Sequence, residues 1–176
     1  MNTLNKLFCV SLFGFALLLV SCGTTDNRLF AVKRNELYGF VNAKGDTVIN
    51  CKYISCYTDT IERIGFVGNE KGQIECFNKK GEFLFYVYNL DYGLDEIREG
   101  YFRIIDEDGL IGYADSLGNV VIKPQYKYAT SFEGGKAEVT DRLKKVTVGS
   151  EKDGYCTWES HDWFFITPDG KRVESK

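Results

Sequence analysis

From residue 29 onward the chain is built of short apolar runs, none long enough for a helix and each followed by a polar turn. Residues 29–33, 37–42 and 47–57 form one set of three extended segments, and 65–67, 73–78 and 83–88 form a second. A third set is 101–105, 112–117 and 119–126, and a fourth starts at 136–140 and resumes at 163–167. Apolar residues at every second position mark a strand with one buried face, and turn residues between such strands mark hairpins. In the stretch 83–88, Phe-Leu-Phe-Tyr-Val-Tyr, both alternating sets are apolar. A strand of that kind is covered on both faces or forms an adhesive edge. No helical stripe of useful length follows the N-terminal segment. The pattern predicts an all-β fold of antiparallel hairpin units.

The units are copies. Gly39, Phe40, Gly45 and Tyr53 return as Gly112, Tyr113, Gly118 and Tyr126, each displaced by 73 residues. Gly81 divides that interval, so Gly45, Gly81 and Gly118 stand 36 and 37 residues apart. Such a period means stacked supersecondary units that share a core. The unit boundaries fall near 29–64, 65–100, 101–135 and 136–176. The second unit carries Glu75 at the position of the first repeat glycine, and the fourth carries Phe164 there. Gly118 to Gly170 spans 52 residues, so about fifteen extra residues are inserted near 143–162. Turn glycines such as Gly45 and Gly118 are expected at positive φ. Asp108-Gly109 reads as a tight two-residue hairpin turn.

The repeated phrase is glycine, aromatic, Val or Ala, Asn or Asp, two residues, glycine, then Val-Ile and a tyrosine. It resembles the WG-repeat family, strongly in units one and three and weakly in two and four. In that family a Phe-x-x-Gly-x-Ala phrase hands the chain to the next unit, and Phe132 to Ala137 resembles it. The resemblance implies a curved or twisted repeat array of single-domain size, and the family's members mostly lack an assigned activity. Closure into a small propeller or barrel is the alternative that a similar period allows.

The first 21 residues read as a secretory signal: Lys6, then an apolar run over 7–20 that is short for a membrane span. The run ends in Leu19-Val20-Ser21-Cys22, which resembles the lipobox of bacterial lipoproteins. That resemblance implies cleavage before Cys22 and acylation of its thiol and new amine, with residues 22–28 as a tether. Several buried acyl chains hold a domain firmly to a bilayer. The expected address is the cell envelope, on a bacterial membrane and by preference the outer one, with the face left open.

The mature chain would carry 21 basic and 25 acidic side chains, since Lys6 is the only charge removed. Nucleic-acid binding relies on neutralising phosphates and is disfavoured by this balance. Cys51, Cys56, Cys76 and Cys156 read as buried, mostly free thiols. Cys51 and Cys56 lie about 16 Å apart if extended, against the roughly 7 Å a disulfide allows. No metal site or cofactor is expected, because no C-x-x-C spacing accompanies a histidine.

His161 is the only histidine, and its neighbours Ser160 and Asp162 alternate faces on an extended strand. Carboxylates cluster at Asp91, Asp95 and Glu96 and at Asp106, Glu107, Asp108 and Asp115, the second group largely as turn formers. No catalytic residue is assigned. Tyr53, Tyr126 and Tyr128 are expected in the core or between repeats. The candidate binding surface is the insertion with Tyr155, Trp158, His161 and Trp163, beside the run Arg142-Leu143-Lys144-Lys145. Insertions in repeat arrays collect on one face, and exposed Trp and Tyr serve as interface anchors. The alternative is a cap in which Trp158 and Trp163 fold back over the open end of the array, and the two readings combine if Trp163 lies in the core with Tyr155 and Trp158 outside. The expected function is a membrane-anchored, non-catalytic protein-interaction module. A carbohydrate- or peptidoglycan-binding or -processing envelope protein is the alternative.

Overall fold

The computed structural model describes residues 26–90, 93–148 and 155–173. The signal segment, Cys22, Asp91, residues 149–154 and the side chains of Tyr155, Cys156 and Trp158 lie outside them. Among the described residues every regular element is a strand.

Unit one is a meander of β1 (Leu29–Arg34), β2 (Leu37–Asn42) and β3 (Thr47–Tyr53), followed by the short β4 (Ser55–Cys56) and β5 (Thr60–Ile61). Unit two is β6 (Ile64–Gly68), β7 (Ile74–Asn78) and β8 (Phe83–Val87), with a small hairpin β9 (Asn89–Leu90) and β10 (Gly93–Leu94). Unit three is β11 (Tyr101–Ile105), β12 (Ile111–Asp115), β13 (Val120–Tyr126) and the short β14 (Tyr128–Ala129). Unit four has β15 (Ala137–Thr140), β18 (Phe164–Ile166) and β19 (Arg172–Val173). Between its first two strands it carries an inserted hairpin, β16 (Lys144–Val148) with β17 (Tyr155–Glu159).

One turn recipe recurs. Asn42, Asn69, Asn78, Asp106 and Asp115 each open a loop whose fourth residue is a glycine at positive φ, 87° at Gly45 and 90° at Gly118. The opening side chain accepts from the backbone amides two and four residues on, as Asp115 does from Leu117 at 2.9 Å and Asn119 at 2.8 Å. Such side-chain caps satisfy amides that the sharp turn leaves without partners. Gly109 follows this recipe, with its amide bonded to the Asp106 carbonyl at 3.1 Å. The turn is therefore a longer capped loop and not the two-residue hairpin suggested by Asp-Gly. The two-residue form occurs at Asn35-Glu36, both at positive φ, where Arg34 pairs with Leu37.

The first repeat glycine has a different task. Opposite Gly39, β3 contributes three residues where β2 contributes one, because Phe40 pairs with Ile49 while Tyr38 pairs with Tyr53. The same arch stands over Gly112, between the pairs Tyr113–Ile122 and Ile111–Tyr126. A Cβ on Gly39 would lie 2.5 Å from the Ile49 carbonyl oxygen, and one on Gly112 would lie 2.4 Å from that of Ile122. Only glycine lets the arched backbone approach so closely.

Unit two shows what happens without it. Opposite Glu75 there is no arch: Ile74, Glu75 and Cys76 pair in unbroken register with Val87, Tyr86 and Phe85. Accordingly β8 has 5 residues where β3 and β13 have 7. This β8 pairs on its other edge with β11. Units two and three thus share one seven-stranded sheet, ordered β13-β12-β11-β8-β7-β6-β4. At the two arched units the third strand instead bends out of its sheet. It continues as β4 onto β6, or as β14 onto β15, so a new sheet begins. The remaining sheets are the four-stranded β3-β2-β1-β5 and β14-β15-β18-β19 and the two-stranded β10-β9 and β16-β17, and among the described residues no sheet closes on itself. The doubly apolar run 83–88 is therefore an interior strand.

Three cores fill the spaces between four units. Phe40, Ile49, Tyr53, Ile61 and Phe77 join units one and two. Phe66, Ile74, Phe85, Phe102 and Ile104 join two and three, and Tyr113, Ile122, Phe132, Val139 and Ile166 join three and four. Each unit buries its apolar face on its neighbour, the defining energetics of a repeat array. The stacking repeats in detail. A Cβ on Gly81 would lie 2.6 Å from Val48 of unit one, and a Cβ on Gly118 would lie 3.0 Å from Leu84 of unit two.

One polar lock crosses the middle. Arg103 and Asp95 are both buried. The Arg103 amide and Nε donate to Asp95 Oδ2 at 2.8 and 3.1 Å, and its Nη1 donates to the Ala129 carbonyl at 3.1 Å. The guanidinium also lies 4.6 Å from the Tyr88 ring centre. It thereby ties the last part of unit two, the first strand of unit three and the handover strand to unit four. A buried pair of this kind is costly to break on one side only.

Replacing Gly39 by Ala is expected to cost about 2–4 kcal/mol, because backbone must move. Gly45→Ala, with nothing within 4 Å of its Cβ, should cost about 1 kcal/mol from its positive φ alone. Urea denaturation of the two variants checks the contrast. Asp95→Leu alone should cost about 3–5 kcal/mol, and adding Arg103→Met should restore much of that loss. The double-mutant cycle is read from the same denaturation curves.

Candidate functional site

The meander gives every unit two kinds of turn, and these gather on opposite rims. Turns between second and third strands (42–45, 78–81, 115–118, 167–170) form one rim, and the chain enters there, because Leu29 pairs with Asn42. Turns between first and second strands (35–36, 69–72, 106–109) form the other. In unit four the insertion takes the place of that second kind of turn, so it stands on the rim far from the entry point.

The insertion is a ladder running from Lys144 opposite Glu159 to Val148 opposite Tyr155. Its base is pinned by Thr140, which is fully buried. The Thr140 hydroxyl donates to the Arg142 carbonyl at 3.0 Å and accepts from the Arg142 amide at 3.1 Å. It lies 2.8 Å from the Ser160 hydroxyl, which in turn accepts from the Asp162 amide at 3.1 Å. Arg142 reaches Asp162 at 3.4 Å. Beside this base is an open hollow of about 380 Å³ lined by Arg142, Lys144, Val146, Glu159, His161 and Asp162. The Ser160 hydroxyl and the Asp162 carboxylate are thus engaged with Thr140 and Arg142, and His161 is exposed. These three residues do not form a hydrogen-bonded relay.

Trp163 lies at the surface, which differs from the core placement given to it where cap and binding site are combined. It is 38% exposed and meets Tyr128, itself 39% exposed, edge to face at 5.5 Å. Both precede the inward-facing positions of their strands, so their rings lie on the surface of the far rim and not between repeats. Tyr53 and Tyr126 are buried. Each reaches the residue that replaces glycine in the next unit: the Tyr53 hydroxyl donates to Glu75 Oε2 at 2.8 Å, and Tyr126 meets Phe164 at 6.1 Å. Burial, and then the Glu75 bond, push the Tyr53 phenol well above its ordinary range. Phe40 and Tyr113 are fully buried, and Tyr113 donates to the Thr130 carbonyl at 2.7 Å. These ring positions serve packing.

Cys76 is buried, and burial pushes its thiol up to about 12. Cys51 and Cys56 are only half-buried, because the arch lifts the β3 backbone outward and β4 runs near the surface. Cys56 donates to the Thr58 carbonyl at 3.2 Å, and all three thiols are free. Asp106 and Asp115 cap turns, Glu107 and Asp108 are exposed tips, and Asp95 belongs to the Arg103 lock. Burial opposes ionisation of Asp115, but hydrogen bonds from Asn119 and Leu117 hold its carboxyl below the ordinary value. Among the described residues no three His, Cys, Asp or Glu side chains gather as metal ligands, and no helix is long and apolar enough to cross a membrane.

Sequence reading missed two features, Arg103 with Asp95 and the Thr140–Ser160 clasp. An arginine inside an otherwise apolar strand, Tyr-Phe-Arg-Ile-Ile, was the available signal for the first.

The architecture is that of an antiparallel β-repeat module. Residues 38–58 and 111–141 match the family model described as WG containing repeat, so these two segments carry this repeat. Each matched segment begins at the second strand of a unit with the glycine arch and runs through the arch into the handover strand, and the second extends through β15. A search of curated proteins gives no match.

Proposed function

We propose that this protein is a lipid-anchored lipoprotein of the bacterial envelope whose repeat array is a non-catalytic scaffold for binding another envelope component. The observation that carries this reading is the placement of the insertion. It projects from the rim opposite the tether, next to the exposed Tyr128–Trp163 pair. Large aromatic rings held at low conformational cost beside mixed charge are the usual anchors of a protein interface. The side chains that could suggest hydrolysis, Ser160 and Asp162, are engaged in holding the insertion.

The tether belongs to the same reading. Acylation of Cys22 would leave residues 23–28 between the bilayer and β1, with the array in the aqueous phase beside the membrane. A second reading, binding of glycan or peptidoglycan, draws on the same exposed aromatic pair, since aromatic faces also suit sugar rings. Binding of the protein to a glycan array would favour it.

Cys22→Ser should release the protein from the membrane fraction, as read by fractionation and immunoblotting. Retention as tight as that of the parent would place the anchor elsewhere. Trp158→Ala should abolish capture of a partner from envelope extracts and change stability by less than about 0.5 kcal/mol, the usual scale for surface positions. A lowered melting temperature with intact capture would make the insertion a lid over the last unit.

A further inference from the structure

The junctions inside the array are made by equivalent positions, and the two end units carry those positions open. On the side that meets the preceding unit, Val67 and Phe77 of unit two are buried, as are Phe102, Ile104 and Ala114 of unit three. In unit four the same places are held by Ala137, Val139 and Ile166, also buried. Strand register assigns the equivalents in unit one. Phe30 pairs with Val41 and Val32 with Gly39, as Phe102 pairs with Ala114 and Ile104 with Gly112. There Val41 is buried but Phe30 and Val32 are only half-buried, with Arg28 lying 5.5 Å from the Phe30 ring centre. The strand edge is open too. β4, β8 and β14 pair with the first strand of the following unit at Val67, Ile104 and Val139. Their equivalent Val32 has no such neighbour among the described residues, because β5 reaches only Leu29 and Phe30.

On the side that meets the following unit, unit two offers Phe66, Ile74, Cys76 and Phe85, all buried. Their equivalents in unit four are Glu138, Trp163, Phe165 and Val173. Glu138 pairs with Phe165 and Phe165 with Val173, as Phe66 pairs with Cys76 and Cys76 with Phe85. Here Trp163 is 38% exposed and Val173 36%, while Glu138 and Phe165 are half-buried. Beside them is an open hollow of about 450 Å³ whose walls include Phe165, Thr130 and two charges of each sign, Arg98 and Lys136 with Glu133 and Glu138. Terminal units of repeat arrays ordinarily turn a polar face outward. These two end faces keep the apolar residues of an internal junction.

We infer that this protein associates head to tail with a second copy of itself, the β1 face of one copy packing on the unit-four face of the other. The phase of the repeat fits. Unit two, with Glu75, precedes the arched unit three, and unit four, with Phe164, would precede the arched unit one of the second copy. The junction between units two and three is therefore the template. In it Phe102 meets Phe66 edge to face at 5.7 Å and lies 5.9 Å from Phe85. By that equivalence Phe30 of one copy enters the hollow between Glu138 and Val173 of the other. Removal of Phe30, Val32, Phe165 and Val173 from water drives the contact. Glu138 in the place of Phe66 makes it weaker than the internal junctions, which suits reversible association. Unlike faces meet, so each added copy leaves one of each kind free, and the contact propagates. Stacking covers Trp163, and the inserted hairpin, which replaces a rim turn, is left to the envelope component. Acylation of Cys22 is not needed for this contact.

The test is disulfide trapping between two differently tagged forms of the full-length protein, mixed and mildly oxidised. Native thiols give a background that is read from the two tagged parents. Phe30→Cys mixed with Glu138→Cys should give a mixed dimer severalfold above Phe30→Cys mixed with Glu107→Cys, whose cysteine lies at a rim tip. Val32→Cys with Phe165→Cys, the equivalents of Ile104 and Cys76, should link likewise, and melting temperatures show that each variant is folded. Yields at the level of the rim control for both pairs overturn the inference. Preferential linking of Phe30→Cys to itself would show like faces meeting, and overturns it as well. Adding Val173→Asp to the Glu138→Cys chain should lower the mixed dimer severalfold, and undiminished trapping would remove the unit-four face from the contact.

Discussion

The architecture depends on the approach of one backbone to another over Gly39 and over Gly112. At both places three residues of the third strand arch across a single residue of the second, at a separation that leaves no room for a Cβ. Beyond the arch the third strand pairs with the second once more, Tyr53 with Tyr38 and Tyr126 with Ile111, and the chain then passes onto the next unit. Where glycine is replaced by Glu75, the strand opposite it does not arch, keeps both neighbours and fuses two units into one sheet. One side chain thus decides where a sheet stops. The substituted positions are then used: Glu75 and Phe164 receive Tyr53 and Tyr126 from the preceding arched units. Arched and substituted units alternate, and each pair interlocks.

The fused junction between units two and three is also where the buried ion pair lies. Elsewhere the handover is made by a short strand crossing to a new sheet, held by a threonine hydroxyl: Thr58 accepts from Phe66 at 3.1 Å, and Thr130 accepts from Glu138 at 3.0 Å. At the fused junction the intervening segment is longer and folds back through β9 and β10. Arg103 gathers it by bonding Asp95, stacking on Tyr88 and reaching Ala129. A buried charge is tolerated when each donor finds an acceptor, and this guanidinium has acceptors on two sides.

A meander of three strands per unit has a functional consequence. All turns of one kind fall on one rim, so a tether at the N-terminus and an insertion between the first two strands of the last unit emerge on opposite rims. Separation of the chain's entry point from the insertion is therefore built into the strand order. It requires no hinge or second domain.

The all-β class, the unit length and the turn glycines were legible in the sequence because they depend on local chemistry: period-two alternation, and a positive φ that glycine adopts without strain. The repeat itself was legible because Gly39 and Gly112, Tyr53 and Tyr126 recur at one displacement. The insertion was legible as an interruption of that period. The meaning of the first glycine was not, since its reason is a contact with backbone ten or more residues away. Nor was the exposure of Trp163 and Tyr128, or the half-buried state of Cys51 and Cys56, because an aromatic or a thiol has the same local pattern whether or not a neighbouring unit covers it. Asp95 read as one carboxylate among several until the fold set Arg103 beside it. Local sequence determined the units and their turns. Only the tertiary structure decided which sheets fuse, which side chains are covered and on which rim the insertion stands, because each of those follows from the stacking of one unit on the next.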